Sequence, residues 1–309
     1  MPNIEIKRKM SPRDIAQIET LLGAAATIDG HPPLSDHLVL DLKSGGGPGF
    51  VGVTATNPDN DDLVAYAQLS AGNESSALEI VLHPDVRSDF VALTAELIQK
   101  ALSAMSADGG GTVHWWVAEP SDQHYALAAD AGMHVGRTLL QMRRVLPTAA
   151  EVSVATRAFR PDVDDDAWIA VNNRAFKDHG EQGGWTRETL RKRRGEAWFD
   201  PEGFRLHERD GKLAAFCWTK VHPPARPGDL TLGEIYVIAV DPAFHGLGLG
   251  TQLTLAGLAH LSDQGITRAL LYVDASNTAA MGLYDRLGFF THASNIAFTA
   301  DVLPSRKSG

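Results

Sequence analysis

The chain has 309 residues, of which 44% are hydrophobic and 21% charged, so it can bury a core and is not a disordered segment. A formal net charge of −10 sets it against general nucleic-acid binding, which draws its affinity from neutralised phosphates. A single cysteine, Cys217, excludes an internal disulfide, no apolar run reaches the ~20 residues of a membrane span, and the N-terminus lacks a signal-peptide pattern, so the expectation is a cytoplasmic protein with no membrane partner.

In chain order, SPRDIAQIETLLGAAA reads as an opening helix capped by Ser11. FVGVTA and LVAYAQLS read as strands around an Asn-Pro-Asp-Asn turn, and ALEIVLHP as a third strand. Apolar residues at 90, 93, 97, 98, 102 and 105 give one helical face. TVHWWVA and VGRTLLQMRRVL are further strands with a short helix between them, and LPTAAEVSVAT reads as a linker. The second half opens on the helical DVDDDAWIAVNNRAF. It continues with GFRLHERDGKLAAFCWTKV, a hairpin turning at Asp210-Gly211. EIYVIAV, a helix from Gly250, ALLYVDA, the helical TAAMGLYDRLG and a strand near NIAFTAD complete it.

The two halves share a plan. Pro242 and Pro84 each close an apolar run (242 − 84 = 158), and Gly288 and Gly132 each follow a short helix (288 − 132 = 156). Matching landmarks in one order predict two copies of one domain. Cys217, between Phe216 and Trp218, reads as a buried core residue.

Three glycines on alternate positions, in His245-Gly246-Leu247-Gly248-Leu249-Gly250, follow the strand-like EIYVIAVDP. Glycines let a ligand approach the backbone, and the free N–H groups at a helix start hold anions. A P-loop would need Gly-Lys-Ser/Thr, and a dinucleotide fingerprint a glycine where Thr251 stands. What remains resembles the pyrophosphate loop of the GCN5-related N-acetyltransferases (GNAT), with His245 where Gln or Arg is usual. The resemblance implies an α/β protein of two tandem GNAT domains, each a central mixed sheet flanked by helices. Residues 1–146 would be the degenerate copy and 155–303 the catalytic one. It implies acetyl-CoA as co-substrate, held by Ile238, Ala239 and Val240 of the strand and by residues His245 to Thr251. Asn277, Thr278, Ala279, Ala280, Met281 and Gly282 would form a second cofactor segment. Tyr284 falls on the family's general-acid position.

Acetyl transfer to an amine needs a base, and Glu234 starts the strand that leads to the cofactor loop. Its counterpart in the first half is Ser76; Phe90 and Ala92 stand for Gly248 and Gly250, Ser121 for Asn277 and Ala128 for Tyr284. One active site is therefore expected, in the second half. Arg87 matches His245, and Ile80, Val81 and Leu82 mark the strand that would hold any cofactor in the first half.

NNRAFKDHGEQGGWT, WFDPEGF, WTKVHP, GEIYVIAVDP and LYVDASNTAAMGLYDRLGF resemble the mycothiol synthases, tandem-domain members of this family. That resemblance implies a small-molecule thiol precursor as acceptor, bound by Asp36, Glu181, Lys220, Glu234 and Tyr272, with Asp36 standing where the family tends to use Glu. The enzyme is read as a monomer. Other amine acceptors, or a non-catalytic acetyl-CoA sensor, are the competing readings. His179, His222 and His245 read as loop residues without ligand spacing, so no metal site is expected.

Overall fold

The computed structural model describes residues 2–72, 75–177, 182–224 and 228–305. Two compact units form: Met1–Thr138 with Asn295–Gly309, and Leu139–Ser294. Their ends do not follow the halves of the chain. The C-terminal strand enters the first unit, and the strand read from VGRTLLQMRRVL enters the second.

The first unit begins with β1 (Asn3–Lys7), α1 (Pro12–Asp29), α2 (Asp36–Lys43), β2 (Val51–Thr56), β3 (Leu63–Ala71) and β4 (Ser76–Leu82). After them come α3 (Phe90–Ala107), β5 (Gly111–Ala118) and α4 (Asp122–Asp130). Ser11 caps α1 as expected. Its hydroxyl accepts from the Asp14 amide at 3.2 Å while the Asp14 carboxylate accepts from the Ser11 amide at 2.9 Å, a closed capping box. Gly30 ends the helix at φ 76°, the left-handed geometry that favours glycine.

The second unit takes in most of β6 (His134–Val145), then β7 (Arg157–Ala158), α5 (Asp165–Ala175), α6 (Arg187–Arg194), β8 (Phe204–Arg209) and β9 (Lys212–His222). It continues with β10 (Leu232–Val240), α7 (Leu249–Asp263), β11 (Arg268–Asp274), α8 (Thr278–Arg286) and the first residues of β12 (Phe290–Val302). Asp210 and Gly211 both have positive φ, 53° and 70°, and turn the two-residue β8–β9 hairpin.

Strand order is β1-β2-β3-β4-β5-β12 in the first unit and β6-β11-β10-β9-β8-β7 in the second. Each sheet is antiparallel except for one short parallel pair. Ser76–Leu78 pair with Val113–Trp115, and Gly233–Ile235 pair with Ala269–Leu271. The repeat is visible in the register, but one residue off the 158-residue offset: Ser76 and Gly233 open the two parallel pairs, so Glu234 matches Ala77, which likewise carries no carboxylate. Beyond these three residues the parallel strands no longer pair.

Each sheet is covered on both faces. In the second unit α7 and α8 pack Leu253, Leu258 and Tyr284 against Cys217 and Ile235. Trp168 of α5, Leu190 of α6 and Trp185 cover Phe204, Phe216 and Trp218 on the other face. Small residues set α7 close to the sheet: a Cβ on Gly257 would meet the Cys217 sulfur at 2.5 Å, and one on Gly233 would meet Leu261 at 2.7 Å.

Candidate active site

The site starts from the parting of β10 and β11. β10 stays paired with β9 to Val240, while its pairing with β11 stops at Ile235. A register shift between Ile235 and Val237 marks a bulge at Tyr236. The Asp241 amide donates to the Ala214 carbonyl at 2.9 Å, towards β9. Across a trans peptide the Val240 carbonyl therefore faces the opposite way, into the gap left by β11, and so do the N–H groups of Ile238 and Val240.

The chain leaves β10 through Asp241, whose carboxylate accepts from the Ala243 amide at 3.0 Å and from the Arg174 guanidinium. Burial alone would raise the Asp241 carboxyl; Arg174 and the Ala243 amide outweigh it and hold the group below its ordinary range. The glycine loop follows. Gly246 and Gly248 have φ of 79° and 72°, so the turn into α7 needs residues without a Cβ. A Cβ on either would meet nothing within 4 Å, while one on Gly250 would lie 3.1 Å from Leu283.

Gly248 caps α7 with no side chain. The first amide of the turn to find an acceptor is that of Gln252, on the Gly248 carbonyl. Among the described residues, the N–H groups of Gly246 to Thr251 are bonded to no acceptor. Six adjacent donors at a helix N-terminus make an anion site. His245 does not join them. Its Nε2 lies 3.1 Å from the Val240 carbonyl, tying the loop back to the strand.

α8 differs. The Asn277 side-chain oxygen accepts from the Ala280 amide at 3.1 Å, and the Thr278 amide donates to Ser276, so this helix end is capped by its own chain. Thr278, Ala279, Ala280, Met281 and Gly282 form its first turns. Tyr284 follows, buried against Phe289 with ring centroids 5.8 Å apart. Burial, with Cys217 close by, pushes its phenol above the ordinary tyrosine range. Its hydroxyl bonds to nothing among the described residues. Cys217 itself is fully buried, and that burial pushes its thiol up to about 12, away from the thiolate form that a nucleophile needs.

Glu234 is 6% exposed and lies directly across from Lys220 on β9. Its Oε2 is 2.6 Å from His222 Nε2, and its Oε1 has no partner among the described residues. Lys220, also buried, sets its ammonium over the rings of Trp198 at 4.9 Å and Tyr236 at 5.6 Å. Buried Arg193 of α6 approaches Tyr236 from the same helix layer, at 5.7 Å.

Tyr272 lies two residues beyond Leu270, the register partner of Glu234, and pairs with Gln141 of β6. Gln141 Nε2 donates to the Tyr272 hydroxyl at 2.7 Å, and Arg143 Nε donates to Gln141 Oε1 at 2.8 Å. Arginine has no acceptor, so this bond fixes which end of the amide faces Tyr272.

The second unit thus brings Lys220, Glu234 and Tyr272 onto one sheet surface. Asp36 opens α2 in the first unit, and Glu181 lies outside the described residues, as does His179. His222, read from sequence as a loop residue, is the last residue of β9. Gln141, Arg143 and Arg193 were missed, because nothing in their local sequence says which strand or face they join.

In the first unit Ile80, Val81 and Leu82 run beyond the parallel pairing, as Ile238–Val240 do. The place of Gly248 holds Phe90, whose ring packs on His124 at 4.7 Å. Arg87 is taken by a two-pronged ion pair with Asp29, at 2.7 and 2.8 Å. Asp89 stands at the N-cap of α3. Among the described residues no cluster of His, Cys, Asp or Glu could hold a metal, and no helix is long and apolar enough to cross a membrane.

Residues 168–289 match the Acetyltransferase (GNAT) family. Over 98% of its length the chain is 42% identical to a mycothiol acetyltransferase from Thermobispora bispora, of which 99% is covered. The chain belongs to the mycothiol acetyltransferase family. Another relative of that name, from Streptomyces coelicolor, is 39% identical over 97% of this chain and 96% of its own length. The fold agrees. A GCN5-related N-acetyltransferase from Sphaerobacter thermophilus aligns over 98% of this chain and 96% of its own, with a TM-score of 0.68 at 20% identity. A tandem GNAT protein from the clavulanic acid pathway aligns over 98% of this chain and all of its own, with a TM-score of 0.64 at 19% identity.

Proposed function

We propose that this chain transfers the acetyl group of acetyl-CoA to the cysteinyl amine of 1D-myo-inositol 2-(L-cysteinylamino)-2-deoxy-α-D-glucopyranoside, completing mycothiol. The observation that carries the reading is the run of unbonded amides from Gly246 to Thr251, at the end of the strand that bears the buried Glu234. The amides bind the coenzyme diphosphate, assisted by the α7 dipole. Ile238 to Val240 pair with the pantetheine arm in the gap beside β11, and Asn277 to Gly282 flank it.

Glu234 takes the proton of the acceptor ammonium, and the freed lone pair attacks the thioester carbonyl. A strand N–H facing the gap stabilises the developing oxyanion. Tyr284 protonates the departing thiolate; its hydroxyl is uncommitted and its acidity is suppressed, so it reaches the reaction as O–H. Asp36, Glu181, Lys220 and Tyr272 hold the hydroxyl-rich acceptor with Glu234. The acceptor is a small molecule, and the enzyme acts as a cytoplasmic monomer.

Mass spectrometry of the protein incubated with acetyl-CoA and the cysteinyl pseudodisaccharide tests this. The N-acetylated product is expected, with Glu234→Gln lowering kcat by ~10²-fold or more. Consumption of acetyl-CoA with other amines but not this one would overturn the acceptor, and wild-type turnover by the variant would overturn the base.

A further inference from the structure

Resting on the assignment of Glu234 as base, we propose that His222 is a positioning residue that clamps one carboxylate oxygen so that the other faces the acceptor amine. Two backbone facts fix His222. It is the last residue of β9, across from Leu232, and Pro223 follows it. Proline disfavours helical geometry in the residue before it and offers no N–H, so the strand ends there with His222 extended. Glu234 is two residues from Leu232 and faces Lys220, so His222 occupies the diagonal position on the same surface, within reach of a long side chain.

Nε2 of His222 and Oε2 of Glu234 are 2.6 Å apart. An ionised carboxylate only accepts, so Nε2 of His222 carries the proton that makes this bond. A carboxylate as buried as Glu234 is costly unless hydrogen-bonded. His222 supplies that bond, and it is the one hydrogen bond made to the Glu234 carboxylate among the described residues. With Oε2 held, the carboxylate cannot rotate freely, and Oε1 keeps its lone pairs for the substrate. In the reaction an ammonium N–H bond breaks, its proton goes to Oε1, and the electron pair left on nitrogen forms the new bond to the acetyl carbon; the C–S bond then breaks, the thiolate takes its proton from Tyr284, and the second proton shed by the nitrogen restores the tyrosine hydroxyl. His222 neither gains nor loses a proton.

Two polar variants separate this from a structural role. His222→Gln places an amide N–H near the position of Nε2; His222→Asn places one near Nδ1, too short to reach Oε2. His222→Asn is expected to lower kcat ~10-fold or more, the loss of one hydrogen bond to a charged group. KM for acetyl-CoA should stay within about twofold, because the diphosphate amides are untouched. His222→Gln should recover most of the rate. A double-mutant cycle supplies the decisive arm: in a Glu234→Gln background, His222→Asn should slow turnover no further. Multiplying effects, or a His222→Gln as slow as His222→Asn, would overturn the proposal while leaving Glu234 as base. A Glu234→Gln enzyme with the wild-type rate would instead overturn the reading on which the proposal rests.

Discussion

Phe90 packs its ring against the imidazole of His124, centroids 4.7 Å apart, at the positions that match Gly248 and Ala280 in the second unit. This aromatic contact joins the start of α3 to the start of α4 in the first unit. Arg87 is committed to Asp29, and Asp89 sets a carboxylate at the α3 N-cap, where it repels a phosphate. One acetyl-CoA should therefore bind per chain in isothermal titration. A second equivalent of comparable affinity would show that Ile80–Leu82 still hold the cofactor.

Gly248 is predicted to matter for the coenzyme and not for the core. Its φ of 72° costs a residue with a Cβ about 1 kcal/mol, and the space around it is open. Gly248→Ala should raise KM for acetyl-CoA about fivefold or more as the loop relaxes, with kcat at saturation much less affected. An unchanged KM would mean the loop amides do not contact the diphosphate.

Tyr284→Phe removes a hydroxyl that bonds to nothing among the described residues, so thermal stability should not fall. Single-turnover rates should drop while acetyl-CoA affinity is retained. A variant that melts early with unimpaired chemistry would make Tyr284 a packing residue.

Acid stability has a definite sign at Asp14. Burial raises its carboxyl, but the Lys7 ammonium at 2.6 Å and the Ser11 hydroxyl and amide bring it down to about 2. A carboxyl depressed below its unfolded value of ~4 stabilises the fold above that pH, and the contribution is lost as pH falls towards about 2. Asp14→Asn should melt earlier than wild type at neutral pH, and the gap should close near pH ~2. A gap that is constant with pH would show that the α1 cap does not depend on charge.

Much of this was legible in the chain. Period-two runs marked the strands, Asp210-Gly211 the hairpin and Ser11 the first helix cap, because each is decided by residues within a turn of one another. The glycine loop was legible for the same reason: positive φ at Gly246 and Gly248 is a local demand. What the sequence hid is non-local. VGRTLLQMRRVL announces a strand but not its partner, and its pairing with β11 sets Gln141 and Arg143 beside Tyr272. The polar stretch His222-Pro223-Pro224 reads as a loop, yet β9 runs one residue past Val221, and that residue meets Glu234. Arg193 lies among the basic residues of α6, a helix the chain-order reading did not assign, and packing buries it against Tyr236.

The most direct test is a crystal structure of the protein with acetyl-CoA. The account predicts the diphosphate within ~3 Å of the N–H groups of Gly246 to Thr251, the pantetheine arm along Ile238–Val240, and the thioester beside Glu234 Oε1. A coenzyme bound elsewhere, with those amides still unoccupied, would contradict it.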